Sequence, residues 1–214
     1  MRDAQKLTIR PLRSRSEAKA CAELMANSEP WITLRRTYAG SLKRLQDPSR
    51  EVYVALLEGV LAGFIILNLR GPLSGYIQTI GVQPEWRNRG IGRKLIAFAE
   101  ERIFRESPNV FLCVSSFNTG AKRLYKRLGY KRVGELKDYV VKGHSEILMR
   151  KTRGPLRGWA TSAPGKNWSN LVEFSRIWSE AWWARLAAGG RARRRINAHS
   201  CGFRGLGLRF VTSN

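Results

Sequence analysis

Apolar positions along this chain switch between two periods, and the switches mark out the elements. Residues 7–12 predict a first strand. Ser16 is placed to cap a helix running to about Asn27, with Leu24 and Met25 facing inward, and Pro30 breaks it. A second helix is predicted over residues 32–45, ending before Asp47-Pro48. Two apolar runs, 51–57 and 60–69, flank Glu58-Gly59, which is a two-residue hairpin signal. Gly71-Pro72 turns the chain into a further strand, 75–82. The period then lengthens: over residues 90–105, Ile91, Leu95, Phe98, Ala99 and Ile103 share one helical face. Residues 110–115 read as a buried strand. Residues 119–128 read as a short helix burying Ala121, Leu124, Tyr125 and Leu128, at i, i+3, i+4 and i+7. Segments 130–136 and 145–149 close the pattern as a hairpin. The order is β-α-α-β-β-β-α-β-α-β-β.

Composition narrows the class. The chain has 214 residues and is 43% hydrophobic, enough for one α/β domain with a sizeable core and an extension. Cys21, Cys113 and Cys201 lie far apart with no CxxC pair. That spacing argues against a metal site or a disulfide framework, and for a reducing compartment. The N-terminus is polar and charged, which predicts no signal peptide, and no run approaches 18 apolar residues. The expectation is a cytoplasmic protein, monomer or homodimer, with no integral membrane association. Net charge is +23, of which residues 1–153 hold +15 (29 Lys+Arg against 14 Asp+Glu). Such an excess fits either an ordinary basic protein or a weak contact with an acidic macromolecule such as ribosomal RNA.

Residues 82–93, Val-Gln-Pro-Glu-Trp-Arg-Asn-Arg-Gly-Ile-Gly-Arg, carry the sharpest chemistry. A strand runs into a glycine-containing loop at a helix start, where unpaired amides and the positive end of the helix dipole favour a phosphate. The loop lacks the Lys-Ser or Lys-Thr of a Walker loop and the three glycines of a dinucleotide fingerprint. Its Arg-x-x-Gly-x-Gly pattern resembles the acyl-CoA pyrophosphate loop of the GNAT superfamily of N-acetyltransferases. A second segment, Asn118 through Ala121, Leu124-Tyr125 and Gly129-Tyr130, resembles the other recurring GNAT segment, in the right order. The resemblance covers residues 5–153 and leaves a RimI-like branch open.

The resemblance implies a GNAT fold: an α/β (α+β) domain with a mixed, mostly antiparallel sheet, helices on both faces, and two central strands that splay to admit acetyl-CoA. It implies an acetyl-CoA-dependent N-acetyltransferase acting by direct transfer in a ternary complex. The acceptor is a primary amine, on a peptide N-terminus or a small molecule. Pyrophosphate contacts fall to Arg87, Asn88, Arg89, Gly90, Ile91, Gly92 and Arg93. Main-chain groups of Ile80 and Val82 would hold the pantetheine like an added strand, and Asn118 would contact the same region or cap its helix. Tyr125 matches the tyrosine near the thioester sulfur, where a phenol can donate a proton to the departing thiolate. The strand Glu of RimI-like enzymes is replaced by Cys113, which leaves the base open among Glu29, Tyr76, Gln78, Glu85, His144 and water. Glu29 and Glu146 could attract a cationic acceptor. The alternative is a non-catalytic acyl-CoA-binding or ribosome- or RNA-associated module on the same fold.

Residues 154–214 differ in composition, with five of the seven tryptophans and the run Arg191-Ala-Arg-Arg-Arg195. They are expected to form a basic extension without fixed structure, although 167–187 could be an amphipathic helix. No role is assigned to them.

Overall fold

Glu58 and Gly59 both adopt positive φ, 51° and 84°, the geometry that a two-residue hairpin turn demands. They join β2 (Glu51–Leu57) to β3 (Val60–Asn68) in the middle of a seven-stranded sheet. The computed structural model describes residues 6–157 and 159. The extension beyond them, including the helix expected over 167–187, lies outside the described residues. Around the hairpin the chain forms β1 (Leu7–Pro11), α1 (Arg15–Ala26), α2 (Tyr38–Leu45) and β4 (Tyr76–Val82). Then come α3 (Ile91–Phe104), β5 (Asn109–Ser115), α4 (Thr119–Arg127), β6 (Lys131–Leu136) and β7 (Glu146–Thr152). Strand order is β1-β2-β3-β4-β5-β7-β6, antiparallel throughout except between β4 and β5.

The alternation of β3 builds two cores at once. Ile65 and Leu67 face a cluster formed with Leu95, Ile96, Ala99 and Ile103 of α3, which also takes in Tyr125 of α4. Phe64 and Ile66 face the opposite cluster, with Ala22 and Met25 of α1, Trp31, and Leu45 of α2. Successive side chains of a strand point to opposite faces, so a strand covered on both sides is apolar at nearly every position. Helices α3 and α4 therefore lie on one face of the sheet, and α1 and α2 on the other.

Local detail departs from the expectation in four places, and on α4 Tyr125 alone is buried while Ala121, Leu124 and Leu128 are only partly so. Helix α1 is capped by Ser14, whose Oγ accepts from Glu17 N–H at 3.1 Å, while Ser16 contacts the Ser14 hydroxyl instead. Helix α2 begins at Tyr38, capped by Thr37; residues 31–35 are a turn, because Trp31 is drawn into the core and Arg35 takes a positive φ of 52°. On α3 the inward face carries Ile96, and Phe98 sits half-buried beside it against the Tyr53 ring.

Candidate active site

β4 and β5 pair through only two positions, Tyr76 with Phe111 and Ile77 with Leu112. The parting has a cause in β4. Thr79 pairs with Ile66 and Ile77 with Leu67, so Gln78 is an extra residue, a bulge that bends its strand. The bulge also reverses which face each side chain takes. Ile77 and then Ile80 and Val82 pack with the α3 side, while a Cβ on Gly81 would strike Phe64 at 2.5 Å on the α1 side. Beyond Ile77, β4 has no ladder partner on its β5 side. Gln83 N–H donates to Ala62 C=O, and antiparallel hydrogen-bonded pairs alternate. The N–H and C=O groups of Ile80 and Val82 therefore turn away from β3, into the gap.

Past β4 the chain makes a 3-10 turn, Pro84–Trp86, and then a loop in which Asn88 (φ 61°) and Gly90 (φ 80°) are left-handed. The first helical hydrogen bond of α3 runs from Lys94 N–H to Gly90 C=O at 3.1 Å. Amides 88–93 donate to no acceptor among the described residues, so the α3 N-terminus presents a row of donors with the positive end of its dipole behind them. Arg87 is tied down: its Nε donates to Val82 C=O at 3.1 Å. Arg89 lies 4.9 Å over the Trp86 ring.

One cavity of about 810 Å³ passes through the gap. On the α3–α4 side it is lined by Arg87, Gly92, Asn118, Ala121, Leu124 and Tyr125. Asn118 caps α4, accepting from Ala121 N–H at 3.1 Å. Tyr125 is the buried residue of α4, in edge contact with Tyr130 at 5.8 Å, and burial pushes its hydroxyl up to about 12. On the α1–α2 side the lining includes Glu29, Arg36, Arg44, Tyr76, Cys113 and Glu146. Glu146 pairs with Ser115 across β7 and β5, is 7% exposed, and accepts from the Ser115 hydroxyl at 2.6 Å. Burial raises both the Tyr76 hydroxyl and the Cys113 thiol above their ordinary values. A protonated thiol is a poor nucleophile, so Cys113 is ill suited to carry an acyl group.

Of the residues singled out in the sequence, Ile80, Val82, Arg87, Gly92, Asn118 and Tyr125 line this cavity. Asn88, Arg89, Gly90, Ile91 and Arg93 belong to the loop and first turn beside it. The Ile91 side chain points into the core, leaving its amide as the group on offer. The expected base candidates separate. Glu29, Tyr76 and Gln78 line the cavity, but Glu29 is exposed and accepts from the Thr33 hydroxyl at 3.0 Å, and Gln78 takes a hydrogen bond from Arg50. Glu85 sits in the 3-10 turn, and His144 packs on Phe117 at 4.9 Å; neither lines the cavity. The acid best placed is Glu146, which the sequence marks as able to attract a cationic acceptor but not as a base.

Comparison with known proteins agrees with this geometry. A family model described as the acetyltransferase (GNAT) family matches residues 17–130. The N-alpha-acetyltransferase RimI of Mycobacterium tuberculosis is 32% identical over 160 residues, covering 71% of this chain and 96% of that protein. An N-alpha-acetyltransferase of Sulfurisphaera tokodaii is 29% identical over 122 residues, covering 50% of this chain and 72% of its own. An aminoglycoside 6'-N-acetyltransferase solved with coenzyme A shares the fold, with a TM-score of 0.59 at 19% identity over 69% of this chain and 98% of that one.

Proposed function

The chain belongs to the acetyltransferase (GNAT) family, and on that premise we propose that it passes acetyl from acetyl-CoA directly to a primary amine through the gap between β4 and β5. It is an N-acetyltransferase with acetyl-CoA as co-substrate. The observation that carries the direct route is a cavity lined from both faces of the sheet, with Arg87, Gly92 and Tyr125 on one side and Glu146 on the other. The coenzyme enters from the α3–α4 face. Its diphosphate meets amides 88–93, its pantetheine runs along the β5-facing edge at Ile80 and Val82, where the Val82 C=O already accepts from Arg87, and its sulfur ends near Tyr125. The amine enters from the α1–α2 face.

Each proton has a destination. Glu146, directly or through one water, takes one proton from the ammonium and passes it to solvent, and the freed lone pair attacks the thioester carbonyl; as the carbon–nitrogen bond forms, the second N–H proton goes to Glu146. The main-chain N–H of Ile80 stabilises the oxyanion. As the carbon–sulfur bond breaks, the Tyr125 hydroxyl donates its proton to the thiolate, and solvent exchange restores Tyr125 and Glu146. The products are the acetylated amine and free coenzyme A. An α-amino group near pKa 8 deprotonates readily, whereas a lysine near 10.4 costs about 3 kcal/mol more at the same pH. A peptide N-terminus or a small α-amine is therefore favoured, in keeping with the two N-alpha-acetyltransferases among the relatives.

Free-thiol release from acetyl-CoA against a panel of amines tests this reading. Amine-dependent release is expected. Tight acetyl-CoA binding without turnover of any amine would reject it.

A further inference from the structure

The α1–α2 side of the cavity holds more cationic charge than catalysis needs. Arg36, from the segment before α2, and Arg44, from its last turn, both line the cavity and are half-buried. Among the described residues neither has a carboxylate within ion-pair distance, although Arg10, Arg50, Arg102, Arg105, Arg132 and Lys151 all do. The two acids that line the same cavity already accept hydrogen bonds, Glu29 from the Thr33 hydroxyl and Glu146 from the Ser115 hydroxyl, and Asp47 near the end of α2 holds Arg50 at 2.9 Å. Burial, and then the like charges of Arg36 and Arg50, depress the Arg44 guanidinium below its ordinary value. Arginine stays charged even so, and two crowded, partly desolvated guanidinium groups favour an oxyanion that they can hydrogen-bond in pairs.

Resting on the transfer reaction above, we propose that the acceptor is a dipolar amine. Its ammonium is held and deprotonated at Glu146, and an anionic group on the same molecule, a carboxylate or phosphate-type oxyanion, is held by Arg36 and Arg44. The coenzyme is the competing claimant for these arginines. Its diphosphate, however, belongs to the α3 N-terminus on the opposite face of the sheet from α2. The arrangement also disfavours polycations: an acceptor bearing several ammonium groups would bring them against Arg36 and Arg44.

Matched amines that differ by one anionic group, with rates compared per free-base amine, test the proposal on the full chain. One arm compares β-alanine with β-alaninamide. The other compares a hexapeptide beginning Ala-Asp with one beginning Ala-Asn. In at least one arm the anionic member should have a kcat/KM about tenfold or more above its neutral partner. Arg44→Gln, and separately Arg36→Gln, should collapse that preference through KM, with the KM of acetyl-CoA within about twofold and an unchanged melting temperature. The arm that responds tells a small amine from a peptide terminus. Equal turnover of both members in both arms, or faster turnover of spermidine than of either anionic amine, overturns the inference while leaving the transferase reading intact. A rise in acetyl-CoA KM with no loss of amine preference assigns the arginines to the coenzyme and overturns it too. Failure of every amine, with acetyl-CoA still bound, ends the transferase reading and this inference together.

Discussion

In the proposed reaction Tyr125 and Glu146 divide the proton traffic, and each role can be tested by an isosteric change. Burial holds the Tyr125 hydroxyl at about 12, so it stays protonated across the neutral range and is available to the leaving thiolate. Tyr125→Phe should lower kcat about 100-fold while acetyl-CoA affinity, measured by calorimetry, moves less than about twofold. Unchanged kcat would remove Tyr125 from the acid role. Glu146→Gln keeps the volume and an acceptor for the Ser115 hydroxyl but cannot take a proton. Its kcat/KM should fall about 100-fold at pH 7 and recover as pH rises toward the pKa of the amine, because free base then arrives already deprotonated. A profile parallel to that of the unaltered enzyme would show that Glu146 is not the proton acceptor. That Asn118 and Tyr125 line the cavity was legible because each sits in a local motif. Glu146 was read only as a charge that could attract a cationic acceptor, since its burial beside Ser115, 31 residues away, depends on the β5–β7 register.

At the scale of elements, the strand and helix order followed from the period of apolar residues, and the hairpin turn from Glu58-Gly59. The bulge at Gln78 did not, because an extra residue shows only against a partner strand, and it is the bulge that parts β4 from β5. The start of α2 was misread because Ile32 and Leu34 fit a helical period, whereas Thr37 supplies the cap. Two variants probe element ends. Gly90→Ala meets no atom within 4 Å, so its cost is the positive φ alone, about 1 kcal/mol. It should lower the melting temperature and raise the KM of acetyl-CoA, and an unaffected KM would mean that the loop conformation does not matter to the coenzyme. At α1, the hydrogen bond from Arg10 holds the Glu17 carboxyl down to about 2 from 4.5. A depressed acid stabilises the fold above its unfolded pKa, so this contribution is full above pH 4.5 and is lost as pH falls toward 2. Glu17→Gln should cost about 1 kcal/mol at neutral pH in urea titration and make the curve flatter below pH 4.5. An unaltered acid limb would contradict the pairing.

Over the described residues, the sheet works as a partition that opens where β4 leaves β5. Two cores, one per face, hold β3 rigid beside β4, and the opening lies where β4 leaves β5. The two substrates can therefore approach from opposite sides and meet within one cavity, with no need for a covalent relay through the protein. The net charge of +15 over residues 1–153 favours anionic partners, so capture of acetyl-CoA should slow as ionic strength rises. The direct route is tested most plainly by initial rates measured while acetyl-CoA and amine are varied together. Intersecting double-reciprocal lines, with no acetyl on the protein by intact mass when amine is withheld, are the predicted result. Parallel lines together with an acetylated enzyme, above all at Cys113, would contradict it.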